Sequence, residues 1–428
     1  MARPSEAVFI GVDVGTRGVR ACALDRNAVV VDQTERSLAP PRGDGGVSEQ
    51  DPETWWQGLV GAARELAGRI GSQSVTALAV DSTSGTLVVT AVNGQPLRPA
   101  LLYNDRRATA AAEAIARVAP AASGAHGASS SLAKLRHLGE RGELTGAGHA
   151  LHATDWLTGR LIGKQGVTDE NNALKMGYDP VQRDWPDWLG KMVPVELLPE
   201  VVEPGSRLGK LEPRAAAELG LPAGVGVHAG TTDSIAAFLA TGTERRGEAV
   251  TSLGSTLALK VISESPVFAP EHGVYSHRLG QRWLPGGASN SGGAVLLQYF
   301  TPNELTALTP YLDPETPTGL DYLPLPAIGE RFPDNDPHLA PRIEPIPADR
   351  AAFLQGLLEG IAAIEARGYR RLAEVGAEYP ERVHTAGGGA GNPAWTRIRE
   401  QQLGVPVASA GSAEAACGAA RLAMGPVT

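Results

Sequence analysis

Cysteine is scarce in this chain, with only Cys22 and Cys417 among 428 residues. Far apart in sequence and set in apolar surroundings, they match none of the paired spacings of a zinc site or thiol-redox motif. Both are expected to act as core filler in a reducing compartment. No run of about 18 apolar residues occurs, which excludes a membrane-spanning helix. The opening residues hold Arg3, Pro4 and Glu6 and lack the apolar segment of a secretory leader, so a cytoplasmic protein is expected. Positive charge is in deficit too: 38 Lys and Arg stand against 47 Asp and Glu, a net charge of −9. That balance gives no electrostatic reason to expect nucleic acid or an anionic membrane as a partner. An anionic small molecule would need local help, from glycine-loop amides and a metal ion.

What is present suits a globular α/β chain. Hydrophobic residues make up 42% and charged residues 20%, and 428 residues suit two domains of roughly 200 each. Just past the midpoint, Val225 and Val227 form a short apolar strand that enters the turn Gly230-Thr231-Thr232. A helix follows, with Ile235, Phe238 and Leu239 on one face. Asp233 therefore sits at a helix mouth. One reading makes it a helix-start acid, with Thr232 as cap; the other makes it a general base that takes a proton from a substrate hydroxyl.

The flanking segments carry glycine turns. Val8 to Val14 and Val19 to Leu24 read as a hairpin turning at Gly15-Thr16-Arg17-Gly18, with Asp13 inside an otherwise apolar strand. Such an acid is costly unless it is paired or works on something. The turn is either ordinary hairpin chemistry or a place where N–H groups meet phosphate while Asp13 holds a metal-bound water. It matches neither the Walker loop nor the dinucleotide spacing. Val75 to Val80 is a near-continuous apolar strand that ends in Asp81-Ser82-Thr83-Ser84-Gly85-Thr86, where an open α/β sheet places its ligands. The knot Tyr103-Asn104-Asp105 also admits a turn or a ligand reading. The strand, Gly254-Ser255-Thr256 turn and strand over 249–261 repeat the opening hairpin, and Gly254 lies 254 − 15 = 239 positions after Gly15. That is the interval of a duplicated two-lobe chain, with two phosphate-sized turns facing each other across a cleft. Residues 302–347, dense in proline, are expected as an ordered surface excursion. Finally, Gly387-Gly388-Gly389 lead to Asn392, placed to cap a helix that begins at Pro393, with Trp395 in its first turn. Three glycines let a flat ring lie on the backbone.

Taken together in this order, Asp13-Val14-Gly15-Thr16, Gly230-Thr231-Thr232-Asp233, Gly254-Ser255-Thr256 and Gly387-Gly388-Gly389 resemble the FGGY carbohydrate kinases of the actin-like ATPase superfamily. Within that family the chain is similar to the short D-ribulose kinases of cyanobacteria and plant plastids. The shared segments are Asp81 to Thr86, Tyr103-Asn104-Asp105, Asn172-Ala173-Leu174-Lys175 and Gly230 to Ser234. Xylulose kinases usually carry Met-His-Gly where this chain has Thr83-Ser84-Gly85.

The resemblance implies two ribonuclease H-like lobes with a nucleotide and sugar cleft between them: an N-terminal lobe over 1–240, a C-terminal lobe over 241–412, and a terminal helix in 413–428 packing back on the first. It implies ATP and Mg²⁺ as cofactors and a small-molecule sugar as partner, in a monomer or homodimer. Asp233 would be the base, Asp13 would hold Mg²⁺ through water, and Thr16, Gly15, Gly254, Ser255 and Thr256 would hold phosphates. Ser84 and Asp105 would meet the sugar beside Asp233, and Gly388, Gly389, Asn392 and Trp395 would meet adenosine. D-ribulose is the expected acceptor, with D-xylulose or another pentulose or polyol as alternatives. A sugar-independent, actin-like or chaperone-like ATPase switch is the alternative from another class. A DNA-binding regulator finds no room before Val8.

Overall fold

Apolar alternation makes the start of the chain a hairpin, and the computed structural model, which describes residues 7–427, builds one. Arg3, Pro4 and Glu6 of the leader argument lie outside those residues. Strand β1 (Val8–Val14) pairs antiparallel with β2 (Gly18–Leu24), Asp13 opposite Arg20, and β2 pairs with β3 (Val30–Ser37). Helix α1 (Pro52–Ile70) starts where Asp51 accepts from the Glu53 N–H, and it buries Trp55, Trp56, Leu59, Ala63 and Leu66. The apolar run becomes β4 (Val75–Ser82), buried everywhere but at Thr76, and it lies parallel to β1. After α2 (Ser131–Glu140) and α3 (Ala153–Ile162) come β5 (Arg207–Lys210), α4 (Pro213–Leu219), β6 (Gly226–His228) and α5 (Asp233–Ala240). The sheet order is β5-β6-β4-β1-β2-β3, with β6 parallel to β4. A smaller antiparallel sheet, centred on Leu87–Thr90 and His149–His152, accompanies it.

The second unit repeats the plan. Strands β7 (Glu248–Leu253), β8 (Leu257–Val261), β9 (Tyr275–Leu279) and β10 (Arg282–Ser289) are followed by α6 (Gly293–Tyr299), α7 (Arg350–Glu374), β11 (Arg382–Ala386), α8 (Pro393–Leu403) and β12 (Val407–Ser409). Their order is β9-β10-β8-β7-β11-β12. In each unit an antiparallel hairpin is continued on its other side by two parallel strands: β4 and β6 beside β1, β11 and β12 beside β7. The proline-rich excursion is not confined to the surface, because Tyr322, Leu325 and Phe332 join the core of this unit. Gly287 leaves room for the Phe332 ring, which would lie 2.4 Å from a Cβ there. A fully buried ion pair fastens α8 to α7: Arg399 Nε and Nη2 donate to Glu365 at 2.6 and 2.7 Å, and Arg399 Nη1 donates to Thr385 on β11.

Contacts divide the chain at 240/241 and again at 413/414, so residues 241–413 form one unit and the flanking segments the other. The returning helix α9 (Ala415–Ala423) packs on β1 and α5 at backbone distance. A Cβ on Gly11 would lie 1.9 Å from the Ala416 carbonyl oxygen, and one on Gly418 1.7 Å from that of Ala236. Among the described residues no helix is long and apolar enough to cross a membrane.

The same packing corrects one expectation. Cys22 on β2 and Cys417 on α9 are joined as a disulfide, with Cα atoms 5.2 Å apart, rather than being separate core fillers. Both are buried, at 0% and 2% exposure, so the bond ties the last helix to the first hairpin inside the core. Thiol titration of the denatured, unreduced protein should therefore find no free thiol, and titration after reduction should find two. Two thiols before reduction would show the pair to be open.

Candidate functional site

Asp13 and Asp81 stand at the carboxyl ends of two parallel strands, and Asp233 opens the helix that follows a third. The β1–β4 register sets Asp13 opposite Asp81, and a bridge from Ser82 to Thr232 brings the start of α5 alongside. Gly230 allows this approach, since a Cβ there would collide with the Val80 carbonyl oxygen at 1.6 Å. Asp233 is the first residue of α5 and half-buried; its Oδ1 accepts from the Ser234 N–H at 2.7 Å. Thr232 does not cap through its side chain, because its buried Oγ1 has no hydrogen-bond partner.

The two inner carboxyls are electrostatically strained. Burial pushes the Asp13 carboxyl above its ordinary range, with partial relief from the neighbouring Asp81 carboxyl and from Arg20 at 3.8 Å. Asp81 is fully buried and is pushed well above the carboxylate range, first by burial and then by the negative charges of Asp13 and Asp233. No donor reaches either Asp81 oxygen. Burial beside two other acids therefore favours the protonated form of the Asp81 carboxyl. Sequence reasoning gave Asp81 no role of its own; an acid ending a buried parallel strand was the available signal.

The N–H groups of the two hairpin glycines are already engaged within their own turns. The Gly15 N–H closes its own turn onto the Gly18 carbonyl at 3.0 Å, and the Thr16 carbonyl accepts from Gln50. In the second unit the Gly254 N–H likewise closes onto the Thr256 carbonyl, while the Gly254 and Ser255 carbonyls accept from Gly293 and Ala294 at the start of α6. Any amide contact to phosphate at these turns falls to their other residues.

The two polar knots of the first unit also divide. Ser84 is half-buried beyond β4. Asp105 is fully buried and saturated: it accepts from the Ser48 N–H at 2.8 Å, the Arg107 N–H at 3.2 Å, and Arg107 Nε and Nη2 at 3.0 and 2.6 Å. Burial pushes its pKa up, and the hydrogen bonds from Arg107 and from the Ser48 and Arg107 backbone outweigh that and hold it below the ordinary range. Asp105 is thus a loop organiser, not a sugar contact, and the exposed members of its knot are Tyr103 and Asn104.

The second unit holds an apolar pocket of about 560 Å³ that gathers six expected nucleotide residues: Gly254, Ser255, Gly388, Gly389, Asn392 and Trp395. Gly387 has φ +86°, and a Cβ on it would meet the Leu253 carbonyl oxygen at 2.6 Å. Asn392 caps α8 as expected, accepting from the Trp395 N–H at 3.0 Å, and also donates to Thr309. Trp395 is a wall rather than an open platform, 4% exposed, with Nε1 donating to the Leu358 carbonyl. Leu296, Leu354 and Leu358 complete the apolar lining, while Thr256 is exposed in its turn and is not among the walls.

The strain on Asp81 has a measurable sign. Between the ordinary carboxylate pKa and the raised folded one, the native state binds a proton that the unfolded state has lost, so this group destabilises the fold increasingly as pH rises. Asp81→Asn should therefore raise the melting temperature in metal-free buffer, and more at pH 7 than at pH 5. An equal or lower melting temperature at pH 7 would contradict it.

Comparisons with known proteins bear on the family and the fold. The model for the N-terminal domain of the FGGY family of carbohydrate kinases matches residues 8–240, and that for the C-terminal domain matches residues 249–425. A xylulose kinase of Escherichia coli strain K12 is 29% identical over 440 residues, covering 97% of this chain and 89% of that protein. One from Streptomyces coelicolor is 29% identical over 452 residues, covering 100% and 90%. The crystal structure of a xyloylose kinase from Brucella ovis superposes with a TM-score of 0.87 at 26% identity, covering 97% of this chain and 90% of the other. Plasmodium falciparum glycerol kinase with ADP shares the fold, with a TM-score of 0.85 at 17% identity and coverage of 99% and 90%. With both family domains matched in order and the fold in agreement, the chain belongs to the FGGY family of carbohydrate kinases.

Proposed function

We propose that this kinase transfers the γ-phosphoryl group of ATP to the terminal hydroxyl of a ketopentose, D-ribulose first, with Asp233 as the general base. The observation that carries the reading is the placing of Asp233: half-buried at the start of α5, beside two inner carboxyls at neighbouring strand ends. A carboxylate so placed can take the hydroxyl proton as the sugar oxygen bonds to the γ-phosphorus and the bond to the bridging oxygen breaks, leaving ADP. Ser84, beyond the neighbouring strand, is the candidate contact for a sugar hydroxyl.

The residues fit both cofactors. The 560 Å³ pocket, floored by Gly388 and Gly389 and walled by leucines and Trp395, suits a nucleobase and ribose. A side chain on Gly389 would fill it, since a Cβ there would lie 2.8 Å from the Trp395 ring. The Asp13 and Asp81 carboxyls, with two orphaned oxygens on Asp81, are hard oxygen donors of the kind Mg²⁺ accepts. Among the described residues no three acids or histidines gather as a metal cluster, so phosphate oxygens and water would supply the remaining ligands. Asp13 would hold the ion through water, and the ion would neutralise phosphate charge. The chain's own part is to orient the hydroxyl, remove its proton and exclude water, the competing nucleophile.

The sugar rests on two opposed observations. Thr83-Ser84-Gly85, where xylulose kinases usually carry Met-His-Gly, favours D-ribulose. The relatives named xylulose kinase favour D-xylulose as the second reading. ADP release from Mg·ATP against D-ribulose, D-xylulose, L-ribulose, ribitol and glycerol, with a sugar-free control, decides between them. D-ribulose should give the highest kcat/KM; a higher value for D-xylulose would transfer the assignment to it. Rates equal to the control for every sugar would remove the main support of this reading and make the sugar-independent ATPase switch the one to test. Asp233→Asn should fold normally and lower kcat by about 100-fold or more, the usual worth of a general base. Turnover within a few-fold of the unaltered enzyme would remove Asp233 from that role.

A further inference from the structure

One buried charge in the first unit has no part in the proton-transfer chemistry. Lys134 on α2 is fully buried, and although the Asp105 charge lies near enough to favour its ammonium, no carboxylate among the described residues accepts a hydrogen bond from it. It donates instead to two backbone carbonyls, that of Gly85 at 2.8 Å and that of Leu102 at 2.6 Å. The helix that carries it is anchored at its start, where Ser130 accepts from the Ala133 N–H at 3.1 Å. Packing alone gives no reason for a lysine here. A methionine would fill a similar volume without the desolvation of an ammonium, which costs several kcal/mol in a protein interior. Burial in fact lowers the Lys134 ammonium to about 7.

What the lysine does is fasten two irregular turns just beyond the sheet pairing of Leu87 with Leu101. Gly85 follows Ser84 in the turn beyond β4, and Leu102 precedes Tyr103 and Asn104. The second segment is held from its other side as well, by the Asp105 bonds to Ser48 and Arg107 and by Arg107 Nη2 to Glu49 at 2.8 Å. With Lys134 in place, Ser84 and the exposed Tyr103-Asn104 pair belong to one fixed piece. Without it, two buried carbonyls lose their donor, and beyond the Leu87–Leu101 pairing the turns are looser with respect to one another.

We propose that Lys134 is a positioning residue that clamps the Ser84 turn to the Tyr103-Asn104 turn and so sets the affinity for the sugar without touching it. The inference rests on the reading that these turns face the sugar. Preorganised loops lower the ordering cost of binding, so the effect belongs in sugar affinity and not in nucleotide affinity.

The test is Lys134→Met, with two readouts. The KM for the better of D-ribulose and D-xylulose should rise by roughly tenfold or more, while the KM for ATP stays within about twofold. Amide hydrogen exchange should show 83–86 and 101–107 losing protection together, with β1 and β2 unchanged. Unchanged sugar KM, or an equal rise in both KM values, overturns the proposal, as does loss of protection in one segment alone. Lys134→Gln, which keeps an N–H₂ donor, should recover part of the sugar affinity, and it carries the same test if the methionine variant does not fold. If the unaltered protein turns over no sugar, the function reading falls, and the exchange pattern by itself upholds or overturns the clamp.

Discussion

The parallel register of β4 between β1 and β6 is the constraint on which the first unit depends. A strand flanked on both sides and buried on both faces has to be apolar along its length, so its polar residues collect at its end. β4 keeps to this from Ala77 to Val80 and then delivers Asp81 and Ser82, level with Asp13 and Val14 of β1 and with Thr232 ahead of α5. A slip of one residue would turn Asp81 to the opposite face and break the grouping. The placing of these acids is thus an outcome of strand pairing, fixed before any side-chain rotamer is chosen.

Such a grouping of acids opposes folding, and the surrounding packing has to outweigh it. The backbone contacts of α9 at Gly11 and Gly418 seat β1 and α5 against one helix, and the Cys22–Cys417 bond secures that helix. The positions admit no side chain, so the arrangement has little freedom to relax away from the strained carboxyls. Asp105 and Lys134 do comparable work in the loops. Each is a buried charge whose hydrogen bonds go to backbone or to a neighbouring guanidinium, and each fixes a segment that lacks regular pairing.

The second unit shows what the same topology becomes without the acids. The residue matching Asp13, one step before the hairpin turn, is Ser252, and its partner on the parallel strand is Ala386 where the first unit has Asp81. The glycines after β11 and the leucines of α6 and α7 then line an apolar cavity. One plan used twice provides a charged strand end in one unit and an uncharged pocket in the other. Phosphoryl transfer asks for both kinds of surface, since the chemistry is positioning and charge control around a nucleotide.

Much of this was legible in the sequence, because it depends on local pattern. Apolar runs and turn glycines gave both hairpins, the 239-residue interval matched the repeated topology, and Asn392 with Pro393 marked the start of α8. Asp13 stood out as an acid inside an apolar strand, and Asp233 as an acid at a helix mouth. Other features depended on partners distant in sequence. No spacing pairs Cys22 with a cysteine 395 positions away, marks Asp105 as saturated by Arg107 and Ser48, or shows the Gly15 N–H already bound to Gly18. Lys134 lay in a small-residue stretch whose sequence said nothing of Gly85 or Leu102. The sequence by itself determined the elements, their duplication and the candidate acids, since these follow from side-chain period and backbone propensity. Only the tertiary structure decided which polar groups remain available for ligands, because that depends on what else has already bonded to them.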